Sequence, residues 1–259
     1  ESAIDNLVAA RAGAPALRCV LAVGAAHGRG DVDWLAAARV GTLRPFIDAF
    51  ATEAGEPTYA DVYARAGYGD VDRVRVTANM LWSRDELAIS REGLDESAQI
   101  ESRNRYLWLR ADRDWENGIE SSLWLGHSIV DSFRAGSMDK PGIAVGSVTD
   151  RRSSEYKEVR GRGAWQFHPR HWVEGGFEWT KEYAVYHYAA EATYTDAVAE
   201  LFSRDTSLVR ATELNPNRER LALFAAHRWQ INDILVSEVG LRAQRTITAG
   251  TTAEAWLYD

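Results

Sequence analysis

The chain has 259 residues, enough for one large all-β domain or two small ones, with a net charge of −8 and a single cysteine, Cys19. The acidic balance, with arginines scattered rather than blocked, argues against a nucleic-acid binder, and one cysteine permits neither an internal disulfide nor a cysteine metal cluster. Although 46% of residues are apolar, no run approaches the ~18 needed for a transmembrane helix; a membrane-crossing barrel stays open, because its strands alternate polar and apolar residues.

In chain order, Glu1 is not an initiator methionine, and no charged-then-apolar leader precedes the first strand-like run. Leu17 to Ala25 and Val32 to Val40 form an alanine-rich hairpin around Gly28-Arg29-Gly30-Asp31. From Leu43 to Ala54, Leu43, Phe46, Ile47, Phe50 and Ala54 recur at helical spacing, and Pro45 suits a first turn, so a short amphipathic helix is expected there. Val74, Val76, Ala78 and Met80 alternate with Arg75, Thr77 and Asn79. The clearest hairpin spans Asn104 to Phe133. Leu107, Leu109, Ala111 and Trp115 share one parity, Arg110, Asp112 and Asp114 the other, and Glu116-Asn117-Gly118 supplies residues that tolerate positive φ. The chain returns with Ile119, Leu123, Leu125 and Ile129 on the apolar parity. Val173, Phe177 and Trp179 alternate with Glu174, Glu178 and Thr180, and Leu221, Leu223, Ala225 and Trp229 with Ala222, Ala226 and Arg228. After Asn232-Asp233, Leu235, Val239 and Leu241 alternate with Glu238 and Arg242. Ala255 to Asp259 read as a turn entering another strand, so the chain is taken as a fragment.

About ten strands follow from this pattern, joined alternately by short and long links. Short links are expected at 28–31, 69–72, 116–118, 168–171 and 232–233, and long ones at 41–57, 90–99, 134–154 and 187–217. An up-and-down antiparallel sheet places alternate links at opposite ends, so all tight turns fall on one side and all loops on the other, as in an outer-membrane barrel. Two details favour that barrel over a sandwich. The polar parity carries full charges (Arg75, Arg110, Asp112, Glu120, Arg160, Arg162, Glu174, Glu178, Glu238 and Arg242), which a lumen can solvate or pair. Aromatic residues also flank every short turn: Trp34, Tyr68, Trp115, Phe167 with Trp172, and Trp229, the girdle that a membrane interface selects.

Candidate chemistry is sparse. Gly126-His127-Ser128 does not complete a nucleophile elbow, since Val130 stands where glycine is required, and His127 falls on the apolar parity. His168 and His171 share a tight turn with no further ligand identifiable, so an ordinary polar turn is expected and no metal site. Asp112 and Asp114 share a face beside Arg110 and Arg113, which points to charge pairing in a lumen rather than a catalytic pair. No catalytic residue and no cofactor is therefore assigned. The candidate ligand contacts are the aromatic residues of an expected loop region, Tyr183, Tyr186, His187, Tyr188 and Tyr194, which bury large area at small entropic cost. No fixed internal repeat suggests a propeller or solenoid.

The stretches Tyr106-Leu-Trp-Leu-Arg-Ala-Asp-Arg-Asp-Trp115, Gly146-Ser-Val-Thr-Asp-Arg-Arg152 and Trp172-Val-Glu-Gly-Gly-Phe-Glu178 resemble the barrel of TonB-dependent outer-membrane receptors. So does Leu223-Phe-Ala-Ala-His-Arg-Trp-Gln-Ile-Asn-Asp-Ile-Leu235 followed by Glu238-Val-Gly-Leu-Arg242. The resemblance covers most of the chain after about residue 32 and implies a plugged barrel of about 22 strands. It further implies residence in the outer membrane of a Gram-negative bacterium, contact with lipid, and capture of a scarce small-molecule nutrient by external loops. Uptake would be driven by the TonB energy-coupling protein through a plug. Here residues 1–259 read as one incomplete antiparallel up-and-down transmembrane β-barrel, roughly ten strands of a larger one, without plug or remaining strands. Two other readings stay open: a complete small outer-membrane barrel (porin or enzyme), or a soluble β-sandwich binding module.

Overall fold

The computed structural model describes residues 20–29, 31–42, 56–70, 72–91, 96–203 and 205–249. Period-two chemistry over long stretches is built as one antiparallel sheet of 11 strands. They are β1 (Val20–Arg29), β2 (Val32–Thr42), β3 (Glu56–Tyr68), β4 (Arg75–Arg91), β5 (Glu96–Trp115), β6 (Ile119–Lys140), β7 (Ala144–His168), β8 (His171–Tyr194), β9 (Ser207–Leu214), β10 (Asn217–Gln230) and β11 (Val236–Ala249). Each strand from β1 to β8 pairs with the next, followed by β10 and β11. β9 pairs the far half of β8 and β10 its near half, so the two are pieces of one strand laid end to end. Pro216 separates them: it has no N–H to donate to a ladder, while its carbonyl still accepts from the Ala184 amide at 2.9 Å. One helical turn, α1 (Asp196–Leu201), is the sole helix among the described residues.

The five short links lie at one end, as the spacing predicts. In the three-residue β5–β6 turn Asn117 and Gly118 both take positive φ (72° and 70°), a conformation that asparagine and glycine tolerate best.

The other end departs from expectation. In place of a loop over 134–154, β6 continues to Lys140 and β7 begins at Ala144, with a three-residue turn in which Gly142 has φ 78°. The expected loop at 187–217 contains the far half of β8, α1 and β9, and the one at 90–99 shrinks as β4 reaches Arg91 and β5 starts at Glu96. These strand ends lack a continuous apolar face, so hydrophobic alternation gives no sign of them; their backbone ladders hold them. The expected loop at 41–57 and helix over Leu43 to Ala54 fall largely outside the described residues, as do both chain ends.

Apart from one shift between Trp165 and His168, the register runs unbroken across the sheet, so parity divides its two faces. On one face Trp34, Ala66, Ala78, Leu109, Leu125, Val159, Trp179 and Leu221 stand opposite one another in a row from β2 to β10. Among the described residues nothing packs on this face: Leu107 is 53% and Leu223 56% exposed, and the buried apolar residues are all alanines. All strands belong to one sheet, which overturns the sandwich reading, since a sandwich needs a second sheet to bury such a face. In β6 the apolar run Ile119 to Ile129 covers ten residue steps, about 33 Å along the strand. A barrel tilt of roughly 40° reduces that to about 25 Å, the height of an outer-membrane barrel's apolar band.

The opposite face carries every charge expected on the polar parity, and most are paired. Arg75 bonds Asp33, Arg162 bonds Glu174 at 2.6 Å, and Arg110 Nε donates to Asp112 at 2.8 Å. Trp34, Tyr68, Trp115 and Trp229 stand on the apolar face near the short turns, 41–66% exposed. Trp172 does not join them: it pairs with Arg228 on the charged face, and Trp165 opposite Val173 takes its place. The register shift between Trp165 and His168 resets the alternation there, a bulge that sequence parity cannot reveal. Beyond the apolar band, the same face turns ionic through Arg84–Glu101, Arg105–Asp131 and Lys157–Glu155. The strands therefore continue past the apolar band into water.

Candidate functional site

The long strand ends, on the charged parity, bring β4 to β9 together in registered rows. One row reads Ile89, Ala98, Gly136, Val148, Ala190 and then Arg210. The next, nearer the apolar band, reads Leu87, Ile100, Arg134, Asp150, Tyr188 and Thr212. Small side chains at the middle of the first row leave a hollow of about 580 Å³, with Ile89, Met138, Val148 and Leu208 around the alanine and glycine floor. That volume lies within the range of small-molecule sites. Beyond the hollow, Thr195, the residue before α1, donates from its amide to the Ile143 carbonyl at 3.0 Å and from Oγ1 to that of Gly142 at 3.1 Å. This ties α1 to the β6–β7 turn.

The five aromatic candidates lie on β8 and its end rather than in a loop, and alternation splits them. Tyr186, Tyr188 and Tyr194 share the parity of the hollow, opposite Arg152, Asp150 and Ala144. Tyr183 and His187 take the other parity, where Tyr183 lies near Lys157 and Lys181, and His187 Nδ1 is 3.8 Å from Glu213. The residues that line the hollow were hidden from sequence reasoning because 134–154 lacked an apolar alternation. The small-residue parity Gly136, Gly146, Ala190, Ala192 was the signal available.

Charges around the site are unevenly satisfied. Both oxygens of Asp150 are taken by Arg152, from Nε at 2.9 Å and Nη2 at 2.7 Å. Arg134 faces the same carboxylate in register yet forms no ion pair among the described residues, and neither does Arg210. On the opposite parity, Arg103 donates to Glu101 at 2.6 Å and holds that carboxyl below the usual carboxylate range.

The other chemistry-bearing residues of the sequence are placed as follows. His127 stands on the apolar parity near the upper edge of the band, its Nε2 2.9 Å from Glu155. Arg110 pairs with Asp112 as expected, whereas Arg113 lies on the opposite face over the Trp115 ring at 3.7 Å. His168 and His171 gain a third imidazole: His171 Nδ1 is 3.1 Å from His227 Nε2, with the rings nearly coplanar at 4°. That geometry is an N–H···N hydrogen bond, and no group of three metal-ligating side chains converges among the described residues.

No protein-family model matches the chain, and no curated protein matches it significantly. Solved structures do. The ferripyoverdine receptor of the outer membrane of Pseudomonas aeruginosa aligns over 90% of this chain with a TM-score of 0.62 at 13% identity. The siderophore receptor PiuA from Acinetobacter baumannii aligns over 88% with a TM-score of 0.54 at 7% identity, and the RagAB peptide transporter over 88% with 0.56 at 10%. The chain spans 36%, 44% and 32% of those three chains, so it corresponds to well under half of each. With eleven meandering strands, one apolar and one ionic face, and this alignment, the chain has the fold of part of a TonB-dependent receptor barrel.

Proposed function

We propose that residues 1–259 are one barrel segment of a TonB-dependent receptor in the outer membrane of a Gram-negative bacterium. The apolar face would meet lipid and the ionic face the lumen. The far strand ends would stand outside the cell and take part in capturing a scarce small-molecule nutrient, with Tyr186, Tyr188 and Tyr194 facing the captured ligand. Transport would draw on the TonB energy-coupling protein through a plug, and the remaining strands would close the barrel, both lying outside this stretch. No covalent chemistry is required of any residue. The observation that carries the reading is the separation of faces: an exposed apolar row through eight consecutive neighbours backed by an ion-paired one. Only a lipid exterior and a wet interior make both stable in one sheet.

Spin labels on single cysteines along β6, in a Cys19→Ser background reconstituted in phospholipid vesicles, test the membrane part. Labels at Leu123 and Leu125 should be reached by oxygen and those at Ser122 and Trp124 by a water-soluble nickel chelate. Equal access on both parities would overturn it. Deleting the gene and measuring accumulation of ferric siderophores and peptides, with and without the proton gradient, tests the receptor part. Unchanged energy-dependent uptake across that panel would count against it.

A further inference from the structure

The turn between β7 and β8 carries two hydrogen bonds that only uncharged imidazoles can accept. His168 Nδ1 accepts the Arg170 amide at 3.2 Å, so that nitrogen holds a lone pair rather than a proton. His171 Nδ1 and His227 Nε2 stand 3.1 Å apart with the rings inclined by only 4°, so one nitrogen donates and the other accepts. The first bond closes the turn. The second ties the start of β8 to β10, beside the backbone bond from the Gln230 amide to the Arg170 carbonyl at 2.8 Å.

The surroundings make this cluster sensitive to charge. His171 and His227 are half-buried, and the rings of Phe167 and Trp229 lie 5.5 and 5.7 Å from that of His171. His168 adds a third imidazole 5.4 Å from His171. On this side β7 brings His168, the turn Arg170 and β10 His227, while β11 sets Ser237 and Val239 in register with Trp229 and His227. Glu174, Arg228 and Glu238 stand on the opposite parity, and Glu116 and Asp233 belong to the adjoining turns. The histidines paired with a carboxylate among the described residues are His127 and His187, not these three. One added proton can be shared, as an imidazolium that donates to its neutral neighbour beside the aromatic faces. A second sets two N–H groups and two positive charges against each other at 3.1 Å, and a proton on His168 Nδ1 likewise opposes the Arg170 N–H.

We propose that His168, His171 and His227 form a proton-sensitive latch on the β7–β8 turn, closed above the ordinary imidazole value of about 6.5 and released below it. The closed bonds need neutral acceptors, so their contribution is complete above that value and is lost as pH falls. The latch goes beyond the receptor reading and needs only the sheet; on that reading it sits at the periplasmic rim, with the other short turns.

Hydrogen–deuterium exchange of the protein in phospholipid vesicles, at about pH 7.5 and about pH 5.5 with rates corrected for intrinsic exchange, tests it. Peptides covering Gln166 to Trp172 and Ala226 to Gln230 should lose protection about tenfold in acid, while the β3–β4 hairpin, which has no histidine, should not change. His168→Asn and His227→Gln put a carboxamide in place of the bonded ring nitrogen and do not titrate, so the double variant should stay protected at both values. Equal protection of the wild type at the two values overturns the latch. So does an acid loss in the double variant as large as that of the wild type. Should the double variant fail to fold, nitrogen-15 NMR of histidine-labelled wild type in the same vesicles decides, with single substitutions assigning each ring. At about pH 7.5 His168 Nδ1 and one nitrogen of the His171–His227 contact must be unprotonated, and at about pH 5.5 all must carry protons. Rings charged at the higher value, or still neutral at the lower, overturn the latch.

Discussion

Arg242 of β11 reaches across β10 to Glu178 of β8, its Nη2 2.5 Å from Oε2, and Ala222, the β10 residue in register with Glu178, is only 1% exposed. One ion pair thereby clamps three strands, with a small residue on the strand between. The pair lies on the face that carries most of the sheet's charge, where a lumen would leave it partly hydrated, so it stabilises modestly while fixing register.

Ala222→Leu should lift the Arg242 side chain off its path and cost more stability than Arg242→Met. The pair itself should show a coupling of about 1 kcal/mol or less in a double-mutant cycle, as partly exposed pairs do. Urea unfolding of the vesicle-reconstituted protein measures both. A neutral Ala222→Leu would mean that the guanidinium does not cross there.

Leu109 and Ser122 lie on adjacent strands but on opposite faces. Leu109→Arg should destabilise by roughly 2–4 kcal/mol, the cost of an arginine facing mid-bilayer lipid. Ser122→Arg, on the ionic face, should cost well under half as much. Similar losses in vesicle unfolding would contradict the assignment of lipid and lumen faces.

Gly69 and Gly142 both hold positive φ (90° and 78°) but differ in their space. A Cβ at Gly69 would meet the Val74 carbonyl oxygen at 2.2 Å, whereas one at Gly142 meets nothing within 4 Å. Gly142→Ala should cost about 1 kcal/mol of backbone strain alone. Gly69→Ala should cost distinctly more and slow formation of the β3–β4 hairpin, read by refolding kinetics monitored by tryptophan fluorescence.

Glu101 titrates below its ordinary value because Arg103 donates to it. A carboxyl whose folded pKa is depressed contributes stability above its unfolded value, about 4.3, and loses it as pH falls through the lower folded value. Wild type should therefore exceed Glu101→Gln in thermal midpoint at neutral pH, by an amount worth less than about 1 kcal/mol given the exposure of Arg103. The gap should close on acidification below pH ~4. A gap independent of pH would show that the carboxylate charge is not what matters.

How much was legible beforehand follows from which physical signal each feature carries. Parity at membrane height was readable because one solvent on each face imposes strict alternation: Leu107, Leu109, Ala111 against Arg110, Asp112 leaves little choice of face. The tight turns were readable because Asn117-Gly118 and similar pairs supply the backbone angles they need. The far ends of β6 and β7 were not, since they carry no regular alternation and backbone hydrogen bonding to each other and to β5 and β8 builds them. For the same reason the aromatic cluster of β8 read as a loop, whereas the place of Trp172 on the charged face was legible, since it shares the parity of Glu174 and Glu178.

By itself, then, the sequence determined a strand meander with one apolar and one ionic face and short turns at one end, because those properties are local. The tertiary structure alone decided where strands end, that β9 and β10 share one place beside β8, and that Ala98, Gly136, Val148 and Ala190 line one hollow. Those residues are up to 92 positions apart in the chain, counting from Ala98 to Ala190, and only the register of three strand pairs brings them together.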